Sequence, residues 1–220
     1  MTTAQLLLIL APIAYVAGSI PFGLLVGFSK GIDVRKSGSG NIGATNVGRL
    51  LGKKFFWIVF TLDLLKGMLP SLAAGWIAHF EVGDRSIVLL RLLVAFAAVL
   101  GHMFSIFLKF KGGKGVATSA GILLGIWPYY TLPALAGIVV FWTVYAIFRY
   151  ISLASIVGAI SFVILYVGFG LAMGWPIFAQ QLPLLIGAIL LASAIVVKHR
   201  GNIVRLLNGT EHKATHKPLA

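Results

Sequence analysis

Long apolar runs, broken by short loops, constrain this sequence more than any other feature. Residues 4–28, 55–78, 87–107, 129–148, 153–173 and 182–197 are each dominated by hydrophobic side chains. A helix rises ~1.5 Å per residue, so about 20 such residues cross the ~30 Å hydrocarbon layer of a bilayer. A further run, fourth in order, covers residues 116–127 and is equally apolar but only about 12 residues long. Hydrophobic residues make up 59% of the chain and charged residues 10%, against about 25% charged in an ordinary soluble domain. No soluble core of this size hides that much apolar surface. The expected fold is an all-α integral membrane protein with seven transmembrane helices, the fourth short or broken. Residues 1–220 form one domain. The N-terminal segment has no basic region before its apolar run and no evident cleavage site, so it reads as a retained span and not a signal peptide.

The charges orient the spans. Lys plus Arg total 18 against 5 Asp plus Glu, a net charge of +13. The segments after the first, third, fifth and seventh runs hold 15 of those 18 basic residues: Lys30, Arg35, Lys36, Arg49, Lys53, Lys54, Lys109, Lys111, Lys114, Arg149, Lys198, Arg200, Arg205, Lys213 and Lys217. The other face has Arg85, beside Glu81 and Asp84, and Lys66 and Arg91 fall inside runs. Basic loops stay in the cytoplasm, so the N-terminus is expected outside and the C-terminus in the cytoplasm. In a membrane protein such a balance points to anionic headgroups or phosphorylated substrates and not to nucleic acid.

Two of the basic loops are rich in glycine. The first contains SGSGNIGATN, residues 37–46, followed by Arg49. Glycines let backbone amides approach a ligand and form an anion nest. Ser39, Asn41, Thr45 and Asn46 add hydrogen-bonding side chains, and Arg49 can grip a phosphate with two donors. The second loop reads KFKGGKGVATS, residues 109–119, with Gly112, Gly113, Lys114 and Gly115 just before an expected helix start, where free N–H groups favour an anion. It is not a Walker A loop, because Gly115 follows Lys114 where that motif needs Ser or Thr. The tail VKHRGNIVRLLNGTEHK, residues 197–213, offers His199, Asn202, Arg205 and Glu211. A bland reading of each is open: a flexible polar loop, a positive-inside anchor, and a basic helix end on anionic lipid.

Asp63 and Lys66 stand three residues apart inside the second run, where buried charges pair or face a cavity. His102 is a lone histidine best read as packed and hydrogen-bonded. His79 and Asp84 make an H-x4-D spacing used by one group of glycerolipid acyltransferases. It falls in the acidic turn on the outer face, away from the glycine-rich loops, and is rejected as a site.

The motifs GSIPFG (18–23), SGSGNIGATNVGR (37–49), LDLLKG (62–67), GHMF (101–104), FKGGKGVAT (110–118), RYISLASI (149–156) and HRGNIVRLLNGTE (199–211), taken in order, resemble the bacterial acyl-phosphate:glycerol-3-phosphate acyltransferase family over nearly the whole chain. That resemblance implies seven helices, with three motif segments meeting on the cytoplasmic face of the bacterial inner membrane. It implies acyl phosphate as donor and glycerol 3-phosphate as acceptor, with lysophosphatidic acid and phosphate as products of a first step in phospholipid synthesis. Ser39 and Arg49 match essential residues of the first segment, and Gly112, Gly113, Lys114 and Gly115 match a phosphate loop. His199 and Asn202 match residues serving activity, Glu211 one serving structure, and Ser155 a serine near the acyl-phosphate site. The pattern departs at Gly201, where relatives often carry an acidic residue.

Acyl phosphate is an activated mixed anhydride, so a covalent acyl-enzyme is unnecessary. The expected work is to place the glycerol hydroxyl at the carbonyl and stabilise developing negative charge, with Lys114 and Arg49 as the cations. His199 or a substrate phosphate oxygen takes the proton, with preference for the substrate. No cofactor, metal site, nucleic acid or obligatory protein partner is expected; membrane lipids and the two phosphorylated substrates are. The competing expectations are a transporter or flippase for an anionic lipid or metabolite, and a lipid-binding scaffold.

Overall fold

The computed structural model describes residues 1–80 and 83–213, which contain helices and connecting turns and no strand. Glu81 of the acidic turn and residues 214–220, with Lys217, lie outside the described residues. In chain order the helices are α1 Thr3–Ser19, α2 Phe22–Phe28, α3 Ala44–Leu51, α4 Lys53–Ile77, α5 Arg85–Met103, α6 Val116–Gly125, α7 Thr131–Phe148, α8 Ile151–Ala172, α9 Leu182–Lys198 and α10 Arg200–Leu207. Five stretches are long and apolar enough to cross a membrane: α1 with α2, α4, α5 with the short turn after it, α7 and α8. Counting the pair α9 and α10, bent by 58°, as one span gives six. The protein is therefore all-helical with five to six apolar spans, and α6, at 10 residues, is the short segment anticipated in fourth place.

The first apolar run is not one helix. Pro21 has no N–H to give the Ala17 carbonyl, and the helix breaks there. The freed carbonyls find other donors: Ser105 Oγ donates to Ser19 O at 2.6 Å, and Lys66 Nζ to Ile20 O at 2.8 Å. The polar segment 30–54 is likewise only partly loop. Its second half forms α3, strongly amphipathic, and α4 already begins at Lys53. The apolar side of α3 packs with α2 and α4 around Leu24, Val34, Ile42, Val47 and Val59, all buried, so the first glycine-rich loop rests on a solid base.

Small residues let the helices touch at backbone distance, as they do in membranes. A Cβ on Gly18 would lie 2.1 Å from the Ala98 carbonyl oxygen, and one on Gly101 would lie 2.2 Å from that of Tyr15, which binds α1 to α5. On the other side, Gly121 meets the Leu64 carbonyl and the Met68 amide, while Gly125 meets Met68 and Ser71. Hence α6 runs alongside α4 in the same direction. It starts where Thr118 meets Gly67, about midway along α4. Asp84, one half of the rejected H-x4-D spacing, caps α5 by accepting the Ser86 amide at 2.7 Å; His79 is exposed.

Candidate active site

The second glycine-rich loop folds back on the helix that precedes it. After α5 ends at Met103, the chain makes a short 3-10 turn over Ile106–Leu108 and returns. The Gly113 amide then donates to His102 O at 3.0 Å, and the Gly112 amide to Met103 O at 3.3 Å. A Cβ on Gly112 would lie 2.0 Å from His102 O, and one on Gly113 would lie 2.3 Å from His102 Nε2, so a side chain would strike main chain at the first position and the His102 ring at the second. Gly115, at φ +81°, makes the left-handed turn into α6. The paired glycines thus spend their amides inward. Those of residues 114–118, at the start of α6, make no hydrogen bond among the described residues, and unpaired amides at a helix start are of the kind that favours an anion.

Lys114 reaches from this loop to the bend between α9 and α10, where its Nζ donates to Asn202 Oδ1. Asn202 Nδ2 in turn donates to Glu211 Oε1 at 2.6 Å. The same oxygen accepts Ser152 Oγ at 2.8 Å, and Oε2 accepts Arg205 Nε at 2.7 Å. Arg49, half-buried on α3, donates to the His212 carbonyl at 3.2 Å. Residues from α3, the second loop, the start of α8 and the tail therefore meet at one place. All these contacts involve ionised groups or their direct partners, the stronger kind of hydrogen bond.

The electrostatics follow from burial and neighbours. Burial lowers the Lys114 ammonium to about 8, Glu211 opposes that shift, and Arg205 and Arg49 add to it. Burial also depresses the Arg49 guanidinium. Burial alone would raise Glu211, but hydrogen bonds from Asn202, Ser152 and Arg205 outweigh it and hold the carboxyl below its usual range. His199, just past the end of α9, is pushed down to about 4, first by burial and further by Lys114; a hydrogen bond to the Ile195 carbonyl pulls the other way. Its Nδ1 lies 2.8 Å from that carbonyl oxygen, which can only accept. Nδ1 therefore carries the hydrogen and Nε2 is left as an acceptor.

The first loop is organised by Asn46 on α3. Its Oδ1 accepts the Ser39 amide at 2.8 Å, and its Nδ2 donates to Val34 O at 2.9 Å and Ser37 O at 3.1 Å. Asn41 Oδ1 accepts the Gly43 amide at 2.8 Å. Asn41 and Asn46 thus shape the loop with their side chains. Thr45 is partly exposed beside them, and Ser39 is exposed with no hydrogen bond to the Lys114 cluster among the described residues. Ser155 Oγ bonds back to Ile151 O at 2.8 Å, one helical turn beyond Ser152. Sequence reasoning passed over Ser152. Its signal was slight: a serine three residues before Ser155, in a motif already noted. No group of three or more His, Asp or Glu side chains fit for a metal occurs among the described residues.

Fold and site together define an integral membrane protein with a partly buried cationic cluster where several segments converge. Residues 8–209 match the family described as Glycerol-3-phosphate acyltransferase, and the chain belongs to that family. It is 45% identical over 201 residues to the glycerol-3-phosphate acyltransferase of Trichlorobacter lovleyi, covering 91% of this chain and 93% of the relative. To that of Aquifex aeolicus it is 44% identical over 207 residues, covering 94% and 98%. It is also similar to two crystal structures of PlsY (YgiH), an integral membrane glycerol 3-phosphate acyltransferase. The glycerol 3-phosphate form has TM-score 0.80 at 41% identity, and the lysophosphatidic acid form 0.78 at 40%, each covering 94% of both chains.

Proposed function

We propose that this glycerol-3-phosphate acyltransferase takes its acyl group from acyl phosphate and works at the cytoplasmic face of the bacterial inner membrane. The glycerol 1-hydroxyl attacks the acyl carbonyl, the anhydride C–O bond breaks, and inorganic phosphate leaves with lysophosphatidic acid as the other product. The observation that carries this reading is the junction of Lys114, Asn202 and Glu211 beside Arg49. A partly buried ammonium, a guanidinium and the unpaired amides of residues 114–118, gathered within one region, support a site for two phosphates. Donors held in place before the reaction stabilise the charge that develops on the carbonyl oxygen without reorganising.

Lys114 and Arg49 take the charge-stabilising role, and Asn202 aims Lys114. Glu211 holds Asn202, Ser152 and Arg205 in place, so its role is structural. Gly112, Gly113 and Gly115 shape the phosphate loop, while Asn41, Thr45 and Asn46 present Ser39 for hydrogen bonding to substrate. Ser155, one turn beyond Ser152 on α8, takes a role on the acyl-phosphate side of the site. A histidine lowered to about 4 is a weak base at neutral pH, which supports a phosphate oxygen of the substrate as proton acceptor. His199 Nε2 then serves as a hydrogen-bond acceptor that orients the attacking hydroxyl. Ser39 makes no hydrogen bond to a base among the described residues, which argues against a covalent acyl-serine.

The seven-crossing topology, N-terminus outside, is supported by α6 running alongside α4 in the same direction. At ~15 Å, α6 is about half a bilayer thickness by itself and crosses with the help of the segments on either side. The chain works as one domain and without an obligatory protein partner. Purified protein in detergent, given glycerol 3-phosphate, should form lysophosphatidic acid and phosphate in equal amounts from acyl phosphate and none from acyl thioesters. Equal use of a thioester would refute the donor assignment.

A further inference from the structure

Beneath the phosphate loop lies a buried polar group that the reaction does not use. Asp63 Oδ1 and Lys66 Nζ are 2.7 Å apart on α4, with both side chains almost fully buried. From α5, His102 Nδ1 comes to 3.6 Å of the same carboxylate oxygen, within electrostatic reach and just beyond a hydrogen bond. The two ends of this group touch different parts of the site. Lys66 Nζ holds Ile20 O at the break in the first span, upstream of the first glycine-rich loop. At the other end, the His102 ring lies against Gly113, while the His102 carbonyl accepts the Gly113 amide. Gly113 is therefore fixed by both main chain and side chain of one residue, immediately before Lys114 and the free amides.

We propose that His102, anchored through Asp63 to Lys66, is a positioning residue for the reaction. It sets the height of the phosphate loop so that Lys114 and the amides of residues 114–118 meet the substrate phosphate in step with the first loop. This rests on the reading of that loop as phosphate-binding. The side chain acts through packing against backbone, as residues supporting a ligating group commonly do.

The test uses purified full-length protein, with inorganic phosphate as probe of the loop. His102→Asn keeps a short polar arm toward Asp63 and removes the ring edge at Gly113; His102→Ala removes both. Both should raise the inhibition constant for phosphate about tenfold, with a smaller loss in kcat and little change in melting temperature. Gly113→Ala should lose most activity because its methyl group meets the ring, and adding His102→Ala should restore about tenfold of it. The proposal is overturned if both His102 variants leave phosphate inhibition unchanged, if the double variant's losses simply multiply, or if neither His102 variant folds. Lys114→Ala separates this from the underlying reading. If phosphate inhibition survives that change, the loop is not the phosphate site. If Lys114→Ala abolishes it and the His102 variants do not, only the positioning role fails.

Discussion

Lys114 and Asn202, 88 residues apart in the chain, share a hydrogen bond that fastens the second glycine-rich loop to the bend after α9. Asn202 can do this because its amide has two different ends. The oxygen faces the ammonium, and the nitrogen faces the Glu211 carboxylate. One amide thereby satisfies a cation and an anion at once. Asn202→Ala should therefore lower kcat/KM by about 10–100-fold, and Asn202→Asp should fare no better because it sets a second carboxylate beside Glu211. Steady-state kinetics of both variants against wild type measure this.

The depressed ammonium of Lys114 predicts an alkaline limb. Free enzyme loses this cation as pH rises through about 8, so kcat/KM should fall with an apparent pKa near that value. Lys114→Arg keeps its charge throughout the range and should remove the limb while lowering the plateau, since a guanidinium does not fit an ammonium's place. A pH profile of kcat/KM for both proteins checks it.

His199 predicts a stability effect of the opposite pH sense. Folded, it titrates at about 4; unfolded, at its ordinary value of 6.5. The unfolded chain binds the proton first as pH falls, so stability is lost between pH 6.5 and 4, by at most about 3 kcal/mol. Thermal melting in detergent should show a drop across that window that is absent in His199→Gln.

Glu211→Gln should destabilise more than it slows catalysis. The carboxylate accepts from Ser152, Asn202 and Arg205, and an amide can receive only some of these while setting its own N–H groups against donors. A cost of about 1–3 kcal/mol follows, read as a melting temperature lower by about 5 °C.

The all-helical fold and its apolar spans were legible in the sequence because bilayer thickness demands long apolar runs. The short fourth segment was visible for the same reason. What was hidden depends on tertiary partners. Pro21 interrupts the first run, and the break is stable because Lys66 and Ser105 serve its carbonyls from other helices. The helix α3 hid inside a polar segment because its apolar face is short and matters only against α2 and α4. Within the site, the glycines of the second loop signalled a close approach of backbone, and Gly112 and Gly113 do make one, against the end of α5. They could not reveal that the amides of Gly112 and Gly113 are spent on α5, which leaves the next residues free. Ser152 was invisible as a partner of Glu211 because the two are 59 residues apart.

The central claim is that three distant segments build one phosphate-binding pocket. Equilibrium binding of glycerol 3-phosphate to the purified protein, by calorimetry, tests it most directly. One site should be found, and Arg49→Ala, Lys114→Ala and Asn202→Ala should each weaken it at least about tenfold. Wild-type binding by two of the three variants would contradict a shared pocket.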